Sequence, residues 1–158
     1  MKPLVIIIMG SKADMDHCKK IAQACQEYGL DTLLRIASAH KTPEHAIALV
    51  RKIESDPRAK VYITVAGRSN ALSGFIDGMV NAPVIACPPI LENSGGQDIH
   101  SSLRMPSGIA PAVILEPANA ALFAAKIFGL QDANVRAMVA AAQRRAADQI
   151  IQDDQELQ

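Results

Sequence analysis

The chain has 158 residues, 49% of them hydrophobic and only 3% aromatic, so a single domain (1–158) with an aliphatic, alanine-rich core is expected. Sixteen basic and sixteen acidic residues cancel, and there are no Trp, two Tyr and three Phe. That leaves neither the electrostatic footprint nor the stacking rings that nucleic-acid binders use, and no charge for an anionic membrane surface. The three cysteines, Cys18, Cys25 and Cys87, are odd in number and lack a CxxC spacing, which argues against a disulfide framework and a zinc site.

Met1-Lys2-Pro3 leads into Leu4–Met9, a continuous apolar run suited to a central parallel strand buried on both faces. The run is too short to span a membrane and no signal-cleavage pattern follows, so a reduced, cytoplasmic protein is expected. Gly10-Ser11-Lys12-Ala13-Asp14 is a short polar turn before a helix from about Asp14 to Tyr28, with Ile21, Ala22 and Cys25 inward and Gly29 as its C′ stop. Thr32–Ala37 reads as the second strand. Thr42 has the side chain of an N-cap, and Pro43 suits the first position of a helix reaching Glu54. A third strand, Lys60–Val65, ends in the corner Ala66-Gly67-Arg68-Ser69-Asn70, followed by a helix from Ala71 to about Val80. Gly74 and Gly78 on one side of that helix point to close backbone packing.

Pro83–Cys87 is the fourth strand, and Pro88-Pro89 blocks an immediate helix. Ile90–Gln97 reads as loop, Asp98–Leu103 as a short helix and Pro111–Leu115 as the fifth strand. Two alanine-rich helices close the chain: Ala118–Phe128, stopped by Gly129, and about Asp132–Ile151, with Val135, Met138, Val139, Ala142 and Ile150 apolar and a frayed acidic tail. Alternating strands and helices call for an α/β fold: a three-layer, flavodoxin-like parallel sheet, order 2-1-3-4-5, with long C-terminal helices. The many small residues of the last two helices point to a helix-mediated homo-oligomer.

Three turns follow strands at one edge of such a sheet, where ligands sit in open α/β folds. The first offers Ser11, Asp14 and free amides at a helix start, the second Ser38, His40 and Lys41, the third Gly67, Arg68, Ser69 and Asn70. Each has a plain structural explanation, as a cap or a solvated turn; together they describe an anionic small molecule lying across the corners, with Asp14 free to hold hydroxyls. His40 is the histidine placed in such a corner and is the natural proton shuttle. His17 and His45 fall inside helices, where a surface or satisfied imidazole is the default. There is no G-x-G-x-x-G, no G-x-x-x-x-G-K-[ST], no phosphoreceiver acid pattern and no metal-ligand cluster.

Met9-Gly10-Ser11, Ser38-Ala39-His40, Ala66-Gly67 and Met105-Pro106, in this order and spacing, resemble the phosphoribosylaminoimidazole carboxylases of purine biosynthesis over nearly the whole chain. That family contains mutases, which move a carboxylate within an N5-carboxy nucleotide, and enzymes that carboxylate aminoimidazole ribonucleotide (AIR) with free CO2. Lys41 after His40, Ala66-Gly67-Arg68-Ser69-Asn70, Cys87-Pro88-Pro89 and Ser101–Gly108 are similar to the CO2-using class, class II. The resemblance implies a homo-octamer with sites near subunit contacts. It also implies Ser11, Ser38 and Lys41 on the phosphate, Asp14 on the ribose, Gly67 and Ser69 at the ring and CO2 end, and His40 as shuttle. No metal, cofactor or biotin is implied. Ala13 stands where many members have Ser, which would leave phosphate to the backbone amides, Ser11 and Lys41. A mutase and a non-catalytic nucleotide- or phosphate-binding module are the competing expectations.

Overall fold

A computed structural model describes residues 1–89 and 96–157. Five parallel strands, β1 (Leu4–Met9), β2 (Asp31–Ile36), β3 (Lys60–Val65), β4 (Val84–Ala86) and β5 (Ala112–Val113), lie in the order β2-β1-β3-β4-β5. This is the flavodoxin-like sheet read from the alternation of elements. Among the described residues the helices are α1 (Met15–Glu27), α2 (Pro43–Glu54), α3 (Ala71–Asp77), α4 (His100–Leu103), α5 (Pro117–Gly129) and α6 (Ala133–Gln155). Single 3₁₀ turns, Lys12–Asp14 and Gln97–Ile99, lead into α1 and α4.

β1 pairs over all six residues with β2 on one side and β3 on the other, Met9 standing level with Ile36 and Val65. All six of its side chains are buried, and strand alternation deals them to opposite faces. Val5, Ile7 and Met9 join a core with Ile21, Cys25, Ala121, Ala125 and Val139 under α1, α5 and α6. Leu4, Ile6 and Ile8 join Leu49, Val50, Leu72 and Ile76 under α2 and α3. These two cores make the three layers. The chain leaves β1 toward β2 and returns past it to β3, so β1 and β3 flank the topological switch point, where an open sheet has its crevice.

Several boundaries differ from the sequence reading. The helix of Ala71 ends at Asp77, and β4 and β5 keep three and two residues of the longer runs expected. Both strands lie beyond β3, where pairing narrows toward the sheet edge. α6 runs on through the acidic stretch to Gln155 instead of fraying at Ile151. Gly29 does stop α1: at φ +67° it lets the Leu30 and Gly29 N–H groups bond the carbonyls of Cys25 and Gln26, a Schellman closure. Gly129 is different. It is the last residue of α5, and a Cβ there would lie 3.3 Å from the Arg136 Cα, so it serves close helix approach instead of a left-handed stop. Gly74 and Gly78 pack as expected, with Met105 and Ile109 against them. Of the loop expected over 90–97, residues 90–95 lie outside the described residues.

Candidate active site

The carboxyl ends of β1, β2 and β3 open into one crevice of about 500 Å³, and Ser11, Asp14, Ser38, His40, Lys41, Gly67 and Ser69 all line it. Strand register makes this so. With Met9, Ile36 and Val65 level, the three following turns begin at the same height, and Gly10 and Ala37 are tied across by bonds from Gly10 N–H to Val65 O and from Ala37 N–H to Met9 O. Gly10 lies against Ala66, with 3.6 Å between its Cβ position and the Ala66 Cβ, so the first and third turns touch.

In the first turn, Oδ2 of Asp14 accepts both the N–H and the hydroxyl of Ser11, each at 3.2 Å. This holds the carboxylate in place while leaving its other oxygen for a ligand. Thr42 stands at the N-cap position of α2, before Pro43 as expected, but its side chain closes the second turn instead of capping the helix. Its hydroxyl accepts the Ser38 N–H at 3.0 Å and donates to the Ser38 carbonyl at 3.3 Å, so it seals the strand-end corner and caps no N–H of α2. The Ser38 hydroxyl accepts the Lys41 N–H at 3.1 Å, which keeps its own proton available. His40 and Lys41 form the exposed tip of this turn.

The third turn carries a feature that composition gave no sign of. Arg68 has φ +62°, a left-handed conformation costing on the order of 1 kcal/mol for a residue with a Cβ. Its N–H donates to Oδ2 of Asp98 at 3.2 Å, and the Ser101 hydroxyl accepts the Asn70 N–H at 2.9 Å while donating to the Asp98 carbonyl at 2.8 Å and, more weakly, to the Arg68 carbonyl at 3.4 Å. Buried Asn70 caps α3 by accepting the Ser73 N–H and donates to the Ser102 hydroxyl at 2.9 Å. Among the described residues, no acceptor takes the N–H of Gly67 or Ser69. Sequence reasoning missed Asp98 and read Ser101 only as part of the Ser101–Gly108 stretch, because their partners lie about thirty positions away and no local pattern announces such a pairing.

Ser69 also borders a second cavity of about 250 Å³, lined by Arg104, Met105, Pro106 and Ile109. The Met105-Pro106 turn thus stands beside the third corner, while Ser107 and Gly108 do not line it. His17 is a satisfied imidazole: its Nε2 lies 3.1 Å from the carbonyl of Cys87, and burial holds its pKa below the ordinary value. His45 and His100 are exposed and line neither cavity. Burial pushes the thiols of Cys18, Cys25 and Cys87 up to about 12, so none offers a thiolate nucleophile. Among the described residues no group of three or more His, Cys, Asp and Glu is placed to hold a metal ion. No helix among them is long and apolar enough to cross a membrane.

An open parallel sheet whose switch-point corners gather hydroxyls, an ammonium, a carboxylate and an imidazole defines a flavodoxin-like α/β protein with its crevice where such folds take small molecules. Comparison with known proteins narrows the class. Residues 4–149 match the family model described as AIRC, AIR carboxylase. The chain is similar to phosphoribosylaminoimidazole carboxylase of Treponema denticola, 53% identical with 99% of each chain covered, and to that of Archaeoglobus fulgidus, 51% identical over 96% of this chain and 83% of its relative. The crystal structure of Treponema denticola PurE superposes with a TM-score of 0.98 at 52% identity, covering 99% of both chains. This chain belongs to the AIR carboxylase family.

Proposed function

We propose that this protein carboxylates AIR at ring carbon C4 with free CO2, reversibly, to give the 4-carboxy nucleotide (CAIR) in de novo purine biosynthesis. The single observation that carries the reading is that His40 stands in one crevice with both the Ser11–Asp14 turn and the Gly67–Ser69 turn. Lys41, with the hydroxyls of Ser11 and Ser38, holds the phosphate; the free oxygen of Asp14 takes the ribose hydroxyls. To meet a phosphate, Ser11 gives up its bond to Asp14, whose Oδ2 keeps the Ser11 N–H. Gly67 and Ser69 supply the N–H groups and the hydroxyl that face the ring and the incoming CO2.

AIR is an enamine, so C4 is itself the nucleophile and no covalent residue, metal or biotin is needed. The C4–carbon bond forms as one C=O bond of CO2 opens, leaving the electron pair on a carboxylate oxygen. C4 is then tetrahedral and carries the proton whose loss restores the aromatic ring. His40 accepts that proton and releases it to solvent; in the decarboxylating direction it returns the proton to C4. Lys41, the Ala66-Gly67-Arg68-Ser69-Asn70 corner and the Ser101–Gly108 stretch support the CO2-using class, and the two relatives above bear the name carboxylase. The protein acts as a cytoplasmic homo-octamer of single-domain subunits in this reading.

Assay with AIR and bicarbonate, in parallel with the N5-carboxy nucleotide, tests it. Wild type is expected to turn over AIR, and His40→Asn to bind nucleotide while losing about 10²- to 10⁴-fold in kcat. A preference for the N5-carboxy substrate would make it a mutase, and binding without turnover of either would make it a binding module. Activity retained in His40→Asn would remove the shuttle.

A further inference from the structure

We infer that Asp98 and Ser101 are positioning residues for the carboxylation site: together they clamp the third corner in its left-handed form and so aim the Gly67 and Ser69 groups into the crevice. The inference rests on the reading of that crevice as the AIR site. Arg68 at φ +62° lacks the freedom of glycine, so the corner needs outside support to keep this shape. Among the described residues, support comes from one short segment. Oδ2 of Asp98 holds the Arg68 N–H, and the Ser101 hydroxyl holds the Asn70 N–H while anchoring on the Asp98 carbonyl. The residue between the two clamped N–H groups is Ser69, which borders both the crevice and the Met105-Pro106 cavity. Neither Asp98 nor Ser101 lines the crevice, so neither reaches a ligand there; what they control is the backbone. A positive φ at position 68 reverses the local direction of the chain, and losing it would rotate the peptide units on both sides, the one bearing the Gly67 carbonyl and the one bearing the Ser69 N–H. Correctly placed N–H donors matter most where charge develops, here on the new carboxylate. Loss of the clamp should therefore lower kcat more than it raises KM.

The protein is assayed with AIR and bicarbonate as wild type, Asp98→Ala, Asp98→Asn, Arg68→Gly, and Asp98→Ala combined with Arg68→Gly. Asp98→Ala is expected to lower kcat about ten- to hundredfold with KM for AIR changed less than about threefold. Asp98→Asn, whose amide oxygen still accepts the Arg68 N–H, should stay within about threefold of wild type. In the Arg68→Gly background the same Asp98→Ala change should cost several-fold less, because glycine takes a positive φ unaided. Unchanged kcat in Asp98→Ala, an equal loss in Asp98→Asn, or strictly additive losses in the double variant would each overturn the clamp. Should Asp98→Ala not fold, Ser101→Ala carries the same expectation. If wild type itself fails to turn over AIR, the carboxylase reading falls separately. The clamp is then read from amide exchange at Arg68 and Asn70, which must accelerate in Asp98→Ala or the inference falls too.

Discussion

Two imidazoles near the carboxyl edge of the sheet have opposite surroundings. His40 is exposed at a turn tip, while His17 is partly buried with Nε2 on the Cys87 carbonyl. Burial is the main cause that holds the His17 pKa below 6.5, and the bond to Cys87 opposes it without prevailing. The sign of the consequence follows. An unfolded chain takes up the proton near 6.5 before the folded chain does, so acidification favours unfolding. Stability is expected to be flat above about pH 7 and to fall as pH drops through 6.5 toward the folded value. Thermal melts between pH 7.5 and 5 should show this loss, and His17→Gln, which keeps an N–H donor, should show less of it; equal slopes would mean other groups are responsible. At this scale the sequence was most informative where chemistry and turn coincided. That Ser11, Asp14, Ser38, His40, Lys41, Gly67 and Ser69 gather at one crevice was legible because strand ends and polar turns can be read locally. Thr42 shows the limit: its hydroxyl was equally suited to cap α2 or to seal the Ser38 corner, and only the folded turn decides between them.

Helix ends divide in the same way. The stop at Gly29 is a local event, a left-handed residue closing its own helix, and was readable from one glycine. Gly129 looked identical in sequence but answers to a residue of the next helix. Its carbonyl accepts Nη1 of Arg136 at 2.6 Å, and its missing Cβ makes room for the Arg136 backbone. Backbone cannot step aside as a flexible side chain does. Gly129→Val is therefore expected to destabilise the fold by about 1–3 kcal/mol, seen as a lower urea midpoint with a similar slope. An unchanged midpoint would show that the α5–α6 junction is looser than these distances state. The short β4 and β5 were less legible still, because propensity marks which residues favour strand but not how far a neighbour accompanies them.

For the whole molecule, sheet order and the two-sided core followed from alternation of elements and from the unbroken apolar run of β1. The homo-octamer proposed above rests on resemblance, and the surface of the last two helices is compatible with it. Phe123 on α5 and Met138 on α6 are 39% and 42% exposed, large apolar side chains that a neighbouring subunit would cover. Sedimentation velocity is expected to give a species near eight times the 16.9 kDa subunit mass, and a monomer at micromolar concentration would refute the octamer.

The odd–even division of β1 also governs how the protein can change over time. Its odd residues answer to α1, α5 and α6 and its even ones to α2 and α3, so the two layers share few side-chain neighbours outside the sheet. Substitutions in α5 and α6 can accumulate, or be introduced to harden the protein against heat, while the helices that follow the His40 and Ser69 corners keep their packing. The Ser11–Asp14 corner is the exception: it leads into α1, which packs in the same layer as α5 and α6, so changes there reach this one corner of the site.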